Sequence, residues 1–307
     1  MELTDVAVKH IFAPSLVPVE RAIDFEHLSR MTLGDRALAA LRGAGVDTRY
    51  VVRAPGRMGL YFMEDGAGVR PASISYDRAG SAFAEADPSA IDFAGALQGA
   101  RLLHTGGITP ALGPKGVALA KAAQAAADAA GVTVCFDGNY RAQLWASWDS
   151  DPRAILDELV QGADVLIGNH RDISLLLGKA FSGEGEDRRR EAAEAAFTVY
   201  PRLKLIASTA RHLVTSDHHR LSARVDSRSG AHQTGEIDIA GIVQRIGTGD
   251  AFAAGLLHAW LGGGDLQAMA ETGLALAALK HSIPGDLCLI GPGELAAFSA
   301  SGGDVRR

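Results

Sequence analysis

Val132-Thr133-Val134-Cys135-Phe136-Asp137 is the stretch that decides the fold, because it is an almost continuous apolar run that ends on a carboxylate. Strands of this composition are buried on both faces, which is typical of parallel sheets. Residues 164–169 and 203–208 repeat the pattern, and residues 116–130 and 152–161 between these runs have helical composition. Strands that alternate with helices over short connections predict an α/β fold with a doubly wound, mostly parallel sheet.

Polar residues stand at the predicted carboxyl ends of these strands. They are Asp137, Asn169 and Ser208. Right-handed crossovers bring the ends of parallel strands to one edge of a sheet, and ligands of such sheets bind beyond that edge. The three side chains are therefore candidate site residues by their position.

Residues 53–82 have a different pattern. Two apolar runs, residues 58–63 and 72–77, flank a turn-forming segment that contains Asp65-Gly66 and Gly68. Such a pattern is a hairpin signal. We expect a small β lid inserted in a single domain of residues 1–307, and such a hairpin can also pair across the two-fold axis of a homodimer.

The bulk composition disfavours several classes of protein. The 307 residues include 30 basic and 36 acidic side chains, a formal net charge of −6, and the one short basic run Arg188-Arg189-Arg190 lies among acidic residues. Nucleic-acid-binding proteins concentrate positive charge, so no nucleic-acid partner is expected. No apolar stretch predicts a membrane span, and the first residues lack a signal-peptide pattern. Two widely separated cysteines suit a reducing compartment, and we therefore expect a cytoplasmic enzyme.

The strongest chemical signal is Gly247-Thr248-Gly249-Asp250, which precedes a helix-like run of small and apolar residues. Backbone N–H groups at the start of a helix bind anions, and glycine lets the backbone approach a phosphate closely. Gly247, Thr248 and Gly249 are therefore predicted to form an anion hole, with Asp250 as the base that accepts a proton from an attacking hydroxyl. Residues of these types also form ordinary turns and helix caps, and no Gly-Lys-Ser/Thr follows that would make a Walker A loop.

The wider stretch, residues 246–255, closely resembles the C-terminal signature of the ribokinase-like, PfkB-type carbohydrate kinases. Residues 56–62, 75–82, 136–145 and 280–286 are similar to one branch of that family, the 2-keto-3-deoxygluconate kinases. The resemblance runs in order from about residue 40 to the C-terminus. It implies a ribokinase-like fold and a kinase that uses ATP and Mg²⁺ to phosphorylate the terminal hydroxyl of a sugar acid, 2-keto-3-deoxygluconate above all.

The resemblance also implies roles for individual residues on the sugar side. Tyr61, Tyr76, Arg78, Arg141 and Asp286 match positions that contact the substrate in that branch. Arginine offers planar, multi-donor contacts to a carboxylate, and tyrosine offers an apolar wall with a hydroxyl. Plain strand packing, a surface ion pair and a turn aspartate are the alternative interpretations of these residues.

On the nucleotide side, the resemblance implies contacts from Asn169, Ser208, Gly247 and Gly249. It also implies that Asp172 helps to organise Mg²⁺, in a water-mediated way because its side chain is short. Asn169 and Asp172 equally fit the pattern of a helix N-terminal cap. The adenine pocket is expected between residues 208–212, which carry fewer glycines than relatives have there, and a helix around residues 275–279.

The N-terminal part departs from the family pattern. The Gly-Gly…Asn segment that touches the sugar in relatives is not seen in residues 1–42, and residues 6–11 are predicted to be a remnant strand. Two alternatives therefore stay open: a kinase of another sugar such as fructose or ribose, and a non-catalytic sugar-binding relative. A nicotinamide dehydrogenase is disfavoured because no Gly-x-Gly-x-x-Gly follows the first strand.

The histidines show no spacing that suggests zinc. His218, His219 and His232 are expected to lie in exposed loops.

Overall fold

The computed structural model describes residues 27–298, so the predicted remnant strand at residues 6–11 lies outside the described part of the chain. The strands in chain order are β1 (His27–Ser29), β2 (Val52–Ala54), β3 (Leu60–Glu64), β4 (Ser73–Asp77), β5 (Leu102–Gly106), β6 (Thr133–Asp137), β7 (Val165–Ile167), β8 (Leu205–Thr215), β9 (His218–Ser227), β10 (Ala231–Gln233) and β11 (Ile237–Ala240). The α-helices are α1 (Thr32–Gly43), α2 (Phe93–Leu97), α3 (Ile108–Ala111), α4 (Pro114–Ala130), α5 (Ala142–Trp145), α6 (Pro152–Gln161), α7 (His170–Leu177), α8 (Glu186–Val199), α9 (Thr248–Leu261), α10 (Leu266–Lys280) and α11 (Pro292–Phe298).

The central sheet has the strand order β10-β9-β8-β7-β6-β5, and β11 pairs with β9 beside β10. Neighbours from β5 to β8 are parallel, whereas β9 is antiparallel to β8, β10 and β11. Within this sheet β9 therefore runs opposite to the other six strands. The prediction of a mostly parallel sheet is confirmed.

Helices cover both faces of this sheet, because successive side chains of a buried strand point to opposite sides. In β6, Val134 and Phe136 join the core formed with α4, α6, α7 and α8, while Cys135 between them joins the core formed with α9 and α10. In β7, Leu166 and Ile167 divide in the same way. An apolar run without alternation is therefore what a strand in this position requires.

The helices α9 and α10 pack closely against each other. A Cβ atom at Gly255 would lie 2.6 Å from the carbonyl oxygen of Thr272, so only glycine permits this approach. The side chain of Phe252 packs in the same way over Gly273. Among residues 27–298, none of the helices combines the length and the apolar character that a membrane span requires.

Strand β8 is longer than predicted. We expected it to end near Ser208, but it continues to Thr215 and forms a long antiparallel hairpin with β9. Its pairing with β7 does end at Ala207, so Ser208 lies where the parallel part of the sheet stops. The prediction was wrong because residues 209–215 are stabilised by pairing with β9 rather than by a local apolar pattern.

The lid is the antiparallel pair β3–β4, as the hairpin signal predicted, and Tyr61 lies opposite Tyr76 in its register. Its connecting loop contacts the turn between β8 and β9, where Ser216 donates hydrogen bonds of 2.7 Å to the carbonyl oxygens of Gly68 and Arg70. Phe62 lies on the outer face of the lid, and 53% of it is exposed. A separate unit, β1-α1-β2, forms a two-stranded parallel sheet with its own small apolar core.

The expectation that the histidines lie in exposed loops was wrong. His218 and His219 belong to β9 and His232 to β10. His219 is fully buried, and the Nε2 atom of His218 lies 2.5 Å from a carboxylate oxygen of Asp238 on the neighbouring strand. The burial of these histidines depends on the pairing of β9 with β8, β10 and β11. The local sequence pattern around residues 218–219 therefore could not predict it.

Candidate active site

A cleft of about 1300 Å³ opens at the carboxyl ends of β6 and β7 and along the part of β8 that extends beyond its pairing with β7, with the lid at one end and the start of α9 facing it. The structure brings every sequence-predicted site residue into the lining of this one cleft. These residues are Tyr61, Tyr76, Arg78, Asp137, Arg141, Asn169, Asp172, Ser208, Gly247, Thr248, Gly249, Asp250 and Asp286.

The predicted anion hole is the N-terminal cap of α9. Gly247 is the cap residue, with a φ of 75° in the left-handed region, and its carbonyl oxygen accepts a 2.8 Å hydrogen bond from the N–H of Ala251. A methyl group at Gly247 would also collide with the carbonyl oxygen of Asp286. This position therefore requires glycine both for its positive φ and for this close contact. Apart from its own stretch of helix, a methyl group at Gly249 would meet no atom within 4 Å, so the backbone there is open toward the cleft.

Asp250 is the third residue of α9 and lines the cleft beside these amides. The hydroxyl of Thr248 donates a 2.9 Å hydrogen bond to the carbonyl oxygen of Arg245, which closes the turn that leads into the helix. Because Asp250 lies in the first turn of α9, its carboxylate and the positive end of the helix dipole border the same part of the cleft. This arrangement can bind an anion and accept a proton at adjacent points.

The lid supplies aromatic and cationic groups to the opposite end of the cleft. Tyr61 and Tyr76 are cross-strand neighbours on β3 and β4. Arg78 follows β4, is only 3% exposed, and its guanidinium lies 5.1 Å from the centre of the Tyr76 ring. This contact fixes the direction of a buried cation through a cation–π interaction.

Arg141 comes from the loop after β6 and is the residue before α5. In that loop Asn139 has a φ of 36°. Among the described residues other than glycine, it is the only one with a positive φ. The carboxylate of Asp137 accepts a 3.1 Å hydrogen bond from the N–H of Asn139 and stabilises this conformation. Unusual backbone conformations of this kind concentrate at functional sites.

Asn169 and Asp172 form a capping box at the start of α7. The side chain of Asn169 accepts a 2.8 Å hydrogen bond from the N–H of Arg171, and Asp172 accepts one of 2.8 Å from the N–H of Asn169. Burial raises the pKa of Asp172 against the effect of that hydrogen bond. Among residues 27–298, no group of three or more His, Cys, Asp or Glu side chains could hold a metal ion by itself.

Several arginines that were not predicted as site residues also line the cleft, and two of them lie near the start of α9 in sequence or charge environment. These two are Arg211 on β8 and Arg245, two residues before Gly247. The Nε atom of Arg245 is buried without a hydrogen-bond partner in the described part of the chain. Desolvation lowers the pKa of both side chains, and the charge of Arg245 lowers the pKa of Arg211 further. Arg245 could have been predicted as a site residue, because it lies two residues before the predicted anion hole. Arg211 could not, because only the folded hairpin of β8 and β9 places it in the cleft.

Proteins of known name are similar to this chain in sequence, and one of them is also similar in structure. The crystal structure of 2-dehydro-3-deoxygluconokinase from Thermotoga maritima matches with a TM-score of 0.89 and 34% identity, covering 97% of this chain and 89% of that one. The 2-dehydro-3-deoxygalactonokinase of Haloferax volcanii is 32% identical over 276 residues, which are 89% of this chain and 80% of that protein. The 2-dehydro-3-deoxygluconokinase of Thermoproteus tenax is 30% identical over 255 residues, 82% of this chain and 71% of that protein.

The family model of the pfkB carbohydrate kinases matches residues 30–286, which contain the lid, the cleft and the start of α9. This chain belongs to the pfkB family of carbohydrate kinases.

Proposed function

We propose that this carbohydrate kinase transfers the γ-phosphoryl group of ATP to the terminal hydroxyl of 2-keto-3-deoxygluconate. The main support for the proposal is that Asp250, Arg78 and Arg141 line the same cleft. The relatives from Thermotoga maritima and Thermoproteus tenax, both named as 2-dehydro-3-deoxygluconokinases, support the choice of sugar acid.

The sugar-acid end is formed by the lid and by the loop after β6. Guanidinium groups match a carboxylate in charge and in geometry, so Arg78 and Arg141 favour an acidic over a neutral sugar. Tyr61 and Tyr76 would provide an apolar wall for the sugar carbons together with two hydroxyl groups. Asp286, next to the start of α9, would bind a sugar hydroxyl.

The nucleotide end is formed by β8 and by the start of α9. Arg211 and Arg245 would face the phosphate chain of ATP, which would provide these arginines with a countercharge inside the cleft. Ser208, Asn169 and the backbone of Gly247 and Gly249 complete the set of nucleotide contacts that we propose.

The donor set suits a Mg²⁺ ion that is held mainly by phosphates and water, because Mg²⁺ retains several waters in such sites. Asp172 would hold it through a water molecule, since one of its carboxylate oxygens already accepts the hydrogen bond of the α7 cap. When bound, the ion neutralises part of the phosphate charge.

In the proposed step, the terminal hydroxyl oxygen of the sugar acid attacks the γ-phosphorus while its proton passes to the carboxylate of Asp250. The bond between the γ-phosphorus and the bridging oxygen breaks, and ADP leaves with that electron pair. The open amides at the start of α9 stabilise the charge on the phosphoryl oxygens in flight.

A substrate panel tests the proposal. ADP formation would be measured with ATP and Mg²⁺ for 2-keto-3-deoxygluconate, its C4 epimer 2-keto-3-deoxygalactonate, fructose and ribose, and phosphorus NMR would locate the phosphate on the product. We expect kcat/KM for 2-keto-3-deoxygluconate to exceed that for fructose and ribose at least about 10²-fold, because these neutral sugars lack the carboxylate. The epimer is included because the Haloferax volcanii relative is named for it.

Turnover of fructose or ribose without turnover of either keto acid would overturn the assignment of the sugar. Binding of a keto acid in calorimetry, with ATP turnover at background, would instead support a non-catalytic relative. The homodimer through the lid stays a prediction, supported by the exposed Phe62 on the outer face of the lid.

A further inference from the structure

Lys280, the last residue of α10, is fully buried. Its ammonium group donates hydrogen bonds of 3.0 Å to the carbonyl oxygen of Ile283 and 2.7 Å to that of Gly285. Lysine is almost never fully buried, because removing its charge from water is unfavourable unless the ammonium group is well hydrogen-bonded. The complete burial of the Lys280 ammonium group therefore needs an explanation.

Capping of the C-terminal end of α10 does not fully explain the burial of Lys280. Lysine near the C-terminus of a helix commonly binds the last carbonyl groups of that helix. Here the acceptors belong to residues 283 and 285, beyond the end of α10, so the ammonium group organises the following loop instead.

That loop, residues 281–286, is attached to the segment that precedes the anion hole. The carbonyl oxygen of His281 accepts a 2.9 Å hydrogen bond from the N–H of Val243, and the N–H of Gly285 donates to the side-chain oxygen of Gln244. The carbonyl group of Asp286 packs directly against Gly247, the cap residue of α9. The loop whose carbonyl groups bind Lys280 thus contacts, through Asp286, the backbone that forms the anion hole.

We infer that Lys280 is a positioning residue for phosphoryl transfer: its buried ammonium group acts as an internal cation that orders the loop at residues 281–286, and through it the start of α9. The inference rests on the proposed function for its catalytic consequence, but its structural part is independent of the substrate. Small displacements of a group that contacts the reacting phosphoryl lower turnover strongly, on the order of 10² for about 1 Å.

The test compares the full-length protein with the variant Lys280→Met, which keeps the length of the side chain and removes its charge. We expect kcat to fall at least about tenfold, with a smaller change in the KM of the sugar acid. Hydrogen exchange should become faster in residues 243–250 while peptides from β5, β6 and β7 keep their protection. The matched control is Lys115→Met, which removes an exposed ammonium group in α4 and should change neither readout.

A kcat of Lys280→Met within twofold of the wild type would overturn the inference, and so would faster exchange spread evenly over the central sheet, which indicates general destabilisation. If Lys280→Met does not fold, Gln244→Ala decides, because it breaks the attachment of the loop without exposing a buried charge. Faster exchange at residues 247–250 in Gln244→Ala is then expected, and unchanged exchange would reject the inference. If the wild type phosphorylates no acceptor, the proposed function fails, while the exchange comparison still tests Lys280.

Discussion

Asp250 combines two properties at the scale of one residue: a carboxylate and a place in the first turn of a helix that borders the cleft. Acidic side chains are common in the first turn because they interact favourably with the helix dipole. Its position alone is therefore compatible with a purely structural role. What distinguishes the catalytic role is the loss of turnover when the carboxylate can no longer accept a proton.

The variant Asp250→Asn keeps the size of the side chain and removes its basicity. We expect kcat to fall by at least about 10², with the fold and most of the ATP binding retained, because general-base catalysis contributes about 10²–10⁴ in rate. Steady-state kinetics and calorimetry with ATP measure the two effects. Asp149→Asn, at an exposed position away from the cleft, is the control and should match the wild type. Retained turnover in Asp250→Asn would remove Asp250 from the role of base.

At the scale of the element, the start of α9 contains two glycines with different tasks. Gly247 has a positive φ and packs against the carbonyl group of Asp286, whereas Gly249 faces open space toward the cleft. The first glycine is required by the fold, and the second is required only if an anion approaches the backbone there.

Alanine substitutions separate these two requirements. Gly247→Ala should lower the free energy of unfolding by at least about 1–3 kcal/mol, because a side chain in the left-handed region is strained and the new methyl group also collides with Asp286. Gly249→Ala should leave that free energy unchanged or raise it by up to about 1 kcal/mol, because alanine favours a helix. In Gly249→Ala we expect kcat/KM for ATP to fall at least tenfold, since the methyl group occupies space needed by the phosphoryl group. Urea unfolding and kinetics measure both variants, and an unaffected Gly249→Ala would contradict the proposed anion hole.

At the scale of the whole molecule, we expect His219 to make stability depend on pH. It is fully buried in β9, and its ring packs edge-on against His281 with centroids 6.2 Å apart. Desolvation, followed by the charges of Arg245, Arg211, His281 and His218, lowers the pKa of His219 to about 4. The pKa of His281 is lowered too, mainly by desolvation.

The direction of the effect follows from proton binding. Below pH about 6.5 the unfolded chain takes up a proton on His219 that the folded protein does not bind until pH about 4. The stabilising effect of the neutral ring is thus complete above pH 6.5 and is lost as the pH falls from 6.5 toward 4. The free energy of unfolding should decrease by up to about 1.4 kcal/mol per pH unit from this residue.

Urea unfolding between pH 7.5 and 5 measures this dependence. His219→Leu should reduce the slope below pH 6.5, while His232→Leu, which changes a partly exposed ring in β10, should leave it as in the wild type. An identical slope in His219→Leu and the wild type would show that other groups cause the acid sensitivity.

The sequence alone predicts the features that depend on near neighbours in the chain. The strand at residues 132–137, the hairpin of the lid, the cap at Asn169 and the glycine-rich start of α9 are all encoded within a few residues of each other, so local patterns suffice. The strand ends gave Asp137, Asn169 and Ser208, the start of α9 gave residues 247–250, the resemblance to one kinase family added the other predicted site residues, and all of them line one cleft.

Tertiary structure determined the rest, because burial and charge environment depend on residues distant in the chain. The extension of β8 and the burial of His219 follow from the pairing of β8 with β9 and of β9 with β11. Arg211 and Arg245 are 34 residues apart in the numbering, and only the fold brings their charges to one cleft. The contact of Lys280 with carbonyl groups beyond its helix is likewise a property of the folded loop, since a lysine after an apolar helix normally predicts an exposed side chain.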